Sequence, residues 1–274
     1  VEEVFAKRVD FPLRLDDFAA VEVSWQDKGI SVDRIASSLR IGTDAMIYID
    51  DNPGELAGVA SGREIFTIHA AADARQTLSA LTHCAGLFRW QHSTDDGLRA
   101  ADLFASHERT TLANAAFSRE AYLRELQVRL EYLVEPRQKV GRLADLSGKT
   151  NQFNLSLRRF NAAELARRFD DPDGRIVAIR LSDRLSDSGI VAGLVGRIEG
   201  PRLRIEDLFV SCRALGRGIE DLMLCRALAL MPGDAPPPTD VVFDVATGPR
   251  NQPARDWLAR YAHGGGDSGM TRVS

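Results

Sequence analysis

Arg213-Ala214-Leu215-Gly216-Arg217-Gly218 lies between a run rich in β-formers that ends at Val210 and an apolar helical pattern that continues to Leu230. Three such β-rich runs precede it, at residues 175–181, 189–198 and 203–210, and turn-forming residues separate them. This pattern predicts an antiparallel meander followed by a glycine loop and a helix. Glycines at a strand-to-helix junction let backbone amides approach a phosphate, although they also suit a tight turn that serves packing alone.

The surrounding sequence extends this unit in both directions. The segments predicted around the meander are a strand at 128–134, helices at 140–146, 162–169 and 216–230, a strand at 241–245 and a helix at 253–261. This order, together with R-x-x-G-x-G, resembles the acyl-CoA pyrophosphate loop and fold of the GNAT acetyltransferases. The resemblance implies a GNAT-like α+β domain over residues 126–263, in which Arg213, Gly216, Arg217 and Gly218 bind the phosphate of CoA or phosphopantetheine. We expect residues 264–274 to be disordered.

The N-terminal part carries a second pattern. Apolar runs at 11–15, 46–49 and 64–68 alternate with helical stretches, which predicts βαβ units on a parallel sheet over residues 1–85. One run leads into Asp50-Asp51, and Lys28 opens the preceding helix. Paired carboxylates at a sheet edge with a nearby lysine suggest a Mg²⁺ and phosphate site, with Asp50 and Asp51 as metal ligands. The alternative is that Asp50 and Asp51 only cap the next helix. Residues 86–125 form a predicted helical connector.

Composition narrows the function classes. A net charge of -4 and a pI near 5.8 argue against bulk attraction to nucleic acid or to an anionic membrane. No apolar stretch approaches the roughly 20 residues that span a bilayer, and no signal-peptide pattern is present, so we expect a cytoplasmic protein. The cysteines and histidines show neither disulfide-framework nor zinc spacing.

Three segments occur in an order that resembles FkbH-like proteins, in which a HAD-superfamily subfamily IIIC domain is fused to a GNAT-like domain. They are residues 50–53 (Asp-Asp-Asn-Pro), 149–155 (Lys-Thr-Asn-Gln-Phe-Asn-Leu) and 211–220, and residues 14–18 and 25–28 look like earlier family segments. The resemblance implies transfer of a glyceryl unit from 1,3-bisphosphoglycerate, with dephosphorylation, onto an acyl carrier protein for polyketide-type extender units. It implies that Lys28 stabilises phosphate and that Asp50 and Asp51 bind Mg²⁺.

The sequence departs from that family in its catalytic motifs. The nucleophilic Asp-x-Asp motif would lie before Val1, and Asp16-Asp17 does not replace it because no long apolar strand leads into it. This chain looks like a fragment or a processed product. We therefore expect it not to catalyse turnover through an aspartyl-phosphate intermediate. A smaller departure is Asp187-Ser188-Gly189, where relatives tend to have Asp-Asn-Gly.

Further candidates lie near the glycine loop. Asn151, Gln152 and Asn154 carry amide groups that suit a carboxylate, a phosphate or pantetheine, or that tie down a loop. Cys212 is a candidate acyl-carrying thiol, although a buried structural cysteine is the alternative. The arginines at 158, 159, 167 and 168 form either a face for an acidic carrier protein or a solvated helix surface.

Three functions thus remain open from sequence. The first is an FkbH-like enzyme or part of one, and the second is a non-catalytic module that binds a carrier protein. The third is a GNAT acyltransferase that uses acyl-CoA.

Overall fold

The computed structural model describes residues 2–8, 10–88, 94–262 and 270–273. The chain divides into two compact units, Val1–Ser118 and Arg119–Ser274. The mixed α/β class expected from the sequence is confirmed. The predicted boundaries at residues 85, 125 and 263 stay predictions. Within the described residues, none of the helices combines the length and apolar character needed to cross a bilayer.

The first unit contains one parallel βαβ step. Its elements are α1 (Glu2–Lys7), α2 (Lys28–Leu39), β1 (Ile47–Asp50), α3 (Pro53–Ala60), β2 (Phe66–His69), α4 (Ala74–Thr82) and α5 (Thr94–Ala115). Strands β1 and β2 pair in parallel, with Asp50 opposite His69. Ile49 and Phe66 are 40% and 59% exposed, whereas parallel sheets are normally covered on both faces. Two strands do not establish the Rossmannoid HAD-like sheet that the sequence predicted.

The helices of this unit begin at local caps. The Asp27 side chain accepts a hydrogen bond from the Gly29 backbone N at 2.7 Å and starts α2. Asn52 does the same for α3, accepting from the Gly54 N at 2.8 Å, with Pro53 in the first turn. The expected strand at residues 11–15 is wrong, because residues 11–14 form no regular element and Leu15–Asp17 is a 3₁₀ turn. Pro12 lacks the N–H that a strand ladder needs.

The second unit is built on a six-stranded sheet of order β3-β4-β5-β6-β7-β8. Its elements are α6 (Arg119–Leu126), β3 (Arg129–Val134), α7 (Val140–Lys149), α8 (Ala162–Asp170), β4 (Gly174–Ser182), β5 (Asp187–Glu199), β6 (Arg202–Val210), α9 (Glu220–Leu230), β7 (Asp240–Asp244), α10 (Gln252–Ala259) and β8 (Met270–Val273). All neighbours are antiparallel except β6 and β7, which are parallel and joined through α9.

Apolar side chains cover both faces of this sheet. One cluster lies on the face covered by α7 and α8. It contains Leu143, Phe160, Leu165, Phe169 and Ile176. The other cluster contains α9 and α10, and its largest members include Phe153, Phe243 and Trp257. The near-continuous burial of β5 and β6 follows from this two-sided cover.

Two boundary predictions for this unit differ from the structure. Helix α9 begins at Glu220 rather than at Gly216, because Gly216 and Gly218 adopt positive φ angles of 71° and 70° that a helix cannot contain. Residues 270–273 form β8 against β7, so this part of the tail is not disordered. The remainder of that predicted tail, residues 264–269 and 274, lies outside the described residues.

Candidate functional site

In the first unit, the structure brings Lys28 and Asp50 together. Lys28 Nζ lies 2.6 Å from Asp50 Oδ2, and the Tyr48 hydroxyl donates to the same oxygen at 2.7 Å. The Asn52 backbone N donates to Oδ1 at 2.9 Å. These donors, Lys28 first, hold the pKa of Asp50 well below its usual range. Burial, and then the bond to Asp50, raises the pKa of Tyr48 to about 12.

This arrangement does not fit the predicted Mg²⁺ site. Both oxygens of Asp50 already accept hydrogen bonds from the protein, and the Asp51 side chain is exposed. A ring nitrogen of His69 lies 3.1 Å from the Asp51 carbonyl oxygen rather than beside its carboxylate. Among the described residues, no three His, Cys, Asp or Glu side chains gather as a metal shell would require. Asn52, rather than either aspartate, provides the N-cap.

In the second unit, the predicted glycine loop, residues 213–218, lies within residues 211–219, which connect β6 to α9. Gly216 and Gly218 turn the backbone through the left-handed region, φ 71° and 70°. A β-carbon at Gly218 would lie 2.6 Å from Nε of Arg119, so this guanidinium packs directly on the loop. Arg119 is exposed and has no hydrogen-bond or ion-pair partner among the residues that the structure describes. The loop therefore combines flexible backbone, a helix N-terminus and an available cation.

Two side chains of the loop region are occupied by internal contacts. Arg217 is buried and donates to Asp183 Oδ2 at 2.7 Å and to Ser188 Oγ at 3.0 Å. Its predicted contact with phosphate is therefore replaced by an internal ion pair. Glu220 Oε1 accepts from the Gly216 N at 2.6 Å, so a carboxylate already holds one of the loop amides.

The other two predicted residues of the loop are more accessible. Arg213 is half-buried, and Cys212 is exposed rather than buried. Seven residues separate Cys212 from Glu220, the first residue of α9.

The amide-rich segment at residues 151–159, which we call the arm, completes the sheet. Strand β7 pairs with β6 only from Arg202 to Ile205. Beyond that point the arm bonds to β6, with Leu155 N donating to Leu208 O at 3.1 Å and Val210 N to Phe153 O at 2.8 Å. Ala246 N donates to Leu155 O at 2.9 Å from the other side. The arm thus lies between β6 and the segment that follows β7.

The predicted amide residues divide between structural and exposed positions. Asn154 is fully buried, and its Oδ1 accepts from Leu157 N at 2.6 Å. Asn151 Oδ1 accepts from Arg159 Nη2 at 2.5 Å, Gln152 is exposed, and Lys149 pairs with Asp145. The alternative that these amides tie down a loop is therefore realised by Asn154.

The proposed basic face is partly neutralised. Arg168 makes a bidentate pair with Glu206 at 2.5 and 2.6 Å, and Arg158 reaches the same carboxylate at 3.4 Å. Arg158 also packs on the Phe160 ring at 4.5 Å. Arg158, Arg159 and Arg167 are exposed, and Arg168 is half-buried. Three of the four arginines therefore face solvent, and one of these three, Arg158, is paired with Glu206.

A buried carboxylate lies under the arm. Asp207 on β6 is 0% exposed, and its Oδ1 accepts from Ser156 N at 3.2 Å and Leu208 N at 3.0 Å. Its Oδ2 has no hydrogen-bond partner among the described residues. Burial raises the pKa of Asp207 to about 7.

Sequence reasoning missed Asp207, Arg119 and Glu220. The signal for Asp207 was present, because Glu206 and Asp207 stand between Ile205 and the apolar run Leu208-Phe209-Val210. Arg119 carried no such signal, since it meets Gly218 only through the fold.

The chain matches no protein-family model and no curated protein sequence. It is similar to the solved structure of PaiA N-acetyltransferase from Thermoplasma acidophilum in complex with coenzyme A, with 8% identity and a TM-score of 0.40 over 53% of this chain and 97% of that one. The structure of nourseothricin acetyltransferase has 16% sequence identity and a TM-score of 0.33, over 53% of this chain and 95% of that one. The structure of an aminoglycoside acetyltransferase from an uncultured soil metagenomic sample has 15% sequence identity and a TM-score of 0.34, over 50% of this chain and 88% of that one. At these TM-scores, none of the likenesses carries an argument about this chain's fold or activity.

Proposed function

We propose that the second unit is an acyltransferase domain of the GNAT type, which binds the phosphopantetheine of an acyl thioester at residues 211–219. The acyl donor is CoA or, alternatively, a carrier protein that bears the same arm. The observation that carries the proposal is the loop between β6 and α9, which has two left-handed glycines, one of which, Gly218, packs against the guanidinium of Arg119.

The chemistry of the loop supports a phosphate ligand. Backbone N–H groups at the start of α9 and the helix dipole favour an anion. Arg119 adds a full positive charge directly over Gly218, and a guanidinium donates two parallel hydrogen bonds to a phosphate. Glu220 opposes binding, because its carboxylate holds the Gly216 N at 2.6 Å. A phosphate must therefore displace Glu220 or use the neighbouring amides.

Calorimetric titration of the full chain with CoA tests the proposal. Arg119→Gln leaves the backbone unchanged and removes one cation, so we expect CoA affinity to fall about tenfold, as for loss of a charge-assisted hydrogen bond. Glu220→Gln removes the competing charge and should bind CoA more tightly than the unmodified chain. Arg124→Gln is the matched control, because Arg124 is exposed on the same helix, α6.

Equal affinity of the Arg119→Gln and Arg124→Gln variants would show that the loop is a structural turn. A parallel titration with a phosphopantetheinylated carrier protein identifies the donor, since tighter binding of the carrier than of CoA favours the carrier. Gly218→Val is not a suitable probe of the loop, because a φ of 70° is strained for any β-branched residue.

The FkbH-like activity, glyceryl transfer from 1,3-bisphosphoglycerate to an acyl carrier protein, is the second candidate. It is favoured by the 2.6 Å approach of Lys28 to Asp50, two residues that the resemblance assigns to one site. The engagement of both Asp50 oxygens weighs against it. Carrier-protein glycerylation by this chain, measured by intact mass after incubation with 1,3-bisphosphoglycerate and Mg²⁺ and lost in Lys28→Met, would favour this function and overturn the inactivity expected from the sequence.

A further inference from the structure

A cleft of about 300 Å³ opens between the arm and the turn that follows β7. Asn151, Leu157 and Arg159 line it from the arm. The opposite wall is residues 248–250, Gly-Pro-Arg. The lining thus includes two guanidinium groups, of which that of Arg250 is also engaged in another interaction, and the size of the cleft suits a small molecule.

A buried amide fixes the distance between the two walls. Asn251 is 0% exposed, and its Nδ2 donates to Asn154 O and to Ala246 O, both at 2.9 Å. Its Oδ1 accepts from Gly248 N at 3.0 Å. One side chain therefore ties the turn to the arm, so the cleft is preformed rather than a gap between independent loops.

The floor of the cleft holds a strained residue. Leu157 has a φ of 57°, which is unusual for a residue other than glycine, and its N–H is fixed by the Asn154 side chain at 2.6 Å. A β-carbon at position 248 would lie 2.5 Å from Leu157 Cδ1, so glycine is needed there for the two walls to meet. Strain that surrounding contacts maintain in this way is typical of ligand sites.

Arg159 is oriented but not saturated. Nη1 donates to Gly148 O, and Nη2 donates to Asn151 Oδ1 at 2.5 Å. A guanidinium has five N–H donors, so about three remain for a ligand. The neighbouring Arg158 differs, because it pairs with Glu206 and packs on Phe160.

We infer that this cleft binds a small molecule bearing an oxyanion, either a carboxylate or a phosphate monoester, between Arg159 and Arg250, with Asn151 as a polar contact. The uncharged part of the molecule packs on Leu157 and Pro249. The site is separate in its residues from the loop at 211–219 and does not depend on CoA binding there.

Amide NMR of the full chain, titrated separately with inorganic phosphate, glycerol 3-phosphate and lactate, tests the inference. We expect saturable shifts at Asn151, Leu157 and Gly248 with at least one probe. Stronger binding of glycerol 3-phosphate than of lactate identifies a phosphate ligand, and the reverse order identifies a carboxylate.

Three variants locate the binding. Arg159→Gln and Arg250→Gln should each weaken it about tenfold, as for a lost charge-assisted hydrogen bond. Gly248→Ala should weaken it by pushing Leu157 into the cleft. Arg167→Gln, at an exposed arginine of α8, is the control and should bind normally.

The same variants separate this inference from the acyltransferase proposal. Arg159→Gln should keep its affinity for CoA, and Arg119→Gln should keep its affinity for the small anion. Absence of shifts with all three probes overturns the inference. Unchanged affinity in both the Arg159→Gln and Arg250→Gln variants, with the melting temperature preserved, also overturns it.

Discussion

Asp50 on β1 of the first unit and Asp207 on β6 of the second unit both lie on β-strands, yet their environments are opposite. Asp50 receives Lys28, Tyr48 and a backbone N–H, and its pKa lies well below the usual range. Asp207 receives two backbone N–H groups on one oxygen, is completely buried and has a pKa raised to about 7. The comparison teaches that donors and burial, rather than strand context, set the charge of these carboxylates.

The largest expected effect comes from Asp207→Asn. In the folded chain Asp207 keeps its proton up to about pH 7, whereas the unfolded chain releases it near pH 3.8. The stabilisation that Asp207 contributes is fully present below the unfolded pKa of 3.8 and is lost as the pH rises through the folded pKa of about 7. We expect the unfolding free energy to fall by about 1–3 kcal/mol between pH 5 and pH 8, and the asparagine variant to lose most of this slope.

Urea unfolding at both pH values measures this slope. Glu131→Gln, which changes an acidic residue of β3 that is exposed beside Arg180, is the control and should retain the wild-type slope. If Asp207→Asn retains it as well, Asp207 is ionised throughout and the proposed contrast between the two aspartates fails.

A smaller effect is expected from Lys28→Met. Removing the ammonium group should move the pKa of Asp50 up towards its ordinary value and destabilise the first unit by up to about 1 kcal/mol at neutral pH. Because the pKa of Asp50 is lowered in the fold, this stabilisation is present above the unfolded value near 4 and is lost as the pH falls through the folded value.

Carboxyl NMR titration reports the pKa of Asp50 directly. Lys7→Met removes another lysine of the first unit, one that pairs with Glu3, and should leave Asp50 unchanged. An unmoved Asp50 titration in Lys28→Met would mean that the pair does not persist in solution.

Tyr48→Phe should give the smallest effect. It removes one neutral hydrogen bond of 2.7 Å from Asp50 Oδ2 and leaves the lysine in place. We expect a destabilisation of about 0.5–1 kcal/mol and an upward movement of the Asp50 pKa that is smaller than in Lys28→Met. The same titration checks the order of the two variants, and the reverse order would make the hydroxyl the dominant partner.

Much of the second unit was predictable, because strand pattern and turn chemistry are local. The runs predicted at 175–181, 189–198 and 203–210 lie within β4, β5 and β6. Helix α8 begins at Ala162, after a reciprocal cap between Asn161 and Glu164, a signal contained in four consecutive residues. The first unit was less predictable, since its apolar run at residues 11–15 contains a proline and forms no strand.

The sequence by itself determined the order of most strands and helices and the position of the glycine turn. Only the tertiary structure decided which polar groups are satisfied. The arm forms hydrogen bonds with the part of β6 that β7 does not pair with. Asn251 donates to Asn154, 97 positions away in sequence, and Arg217 forms a buried ion pair with Asp183. The physical reason is that helix caps and strand alternation depend on near neighbours, whereas the partners of a buried carboxylate or amide come from distant segments.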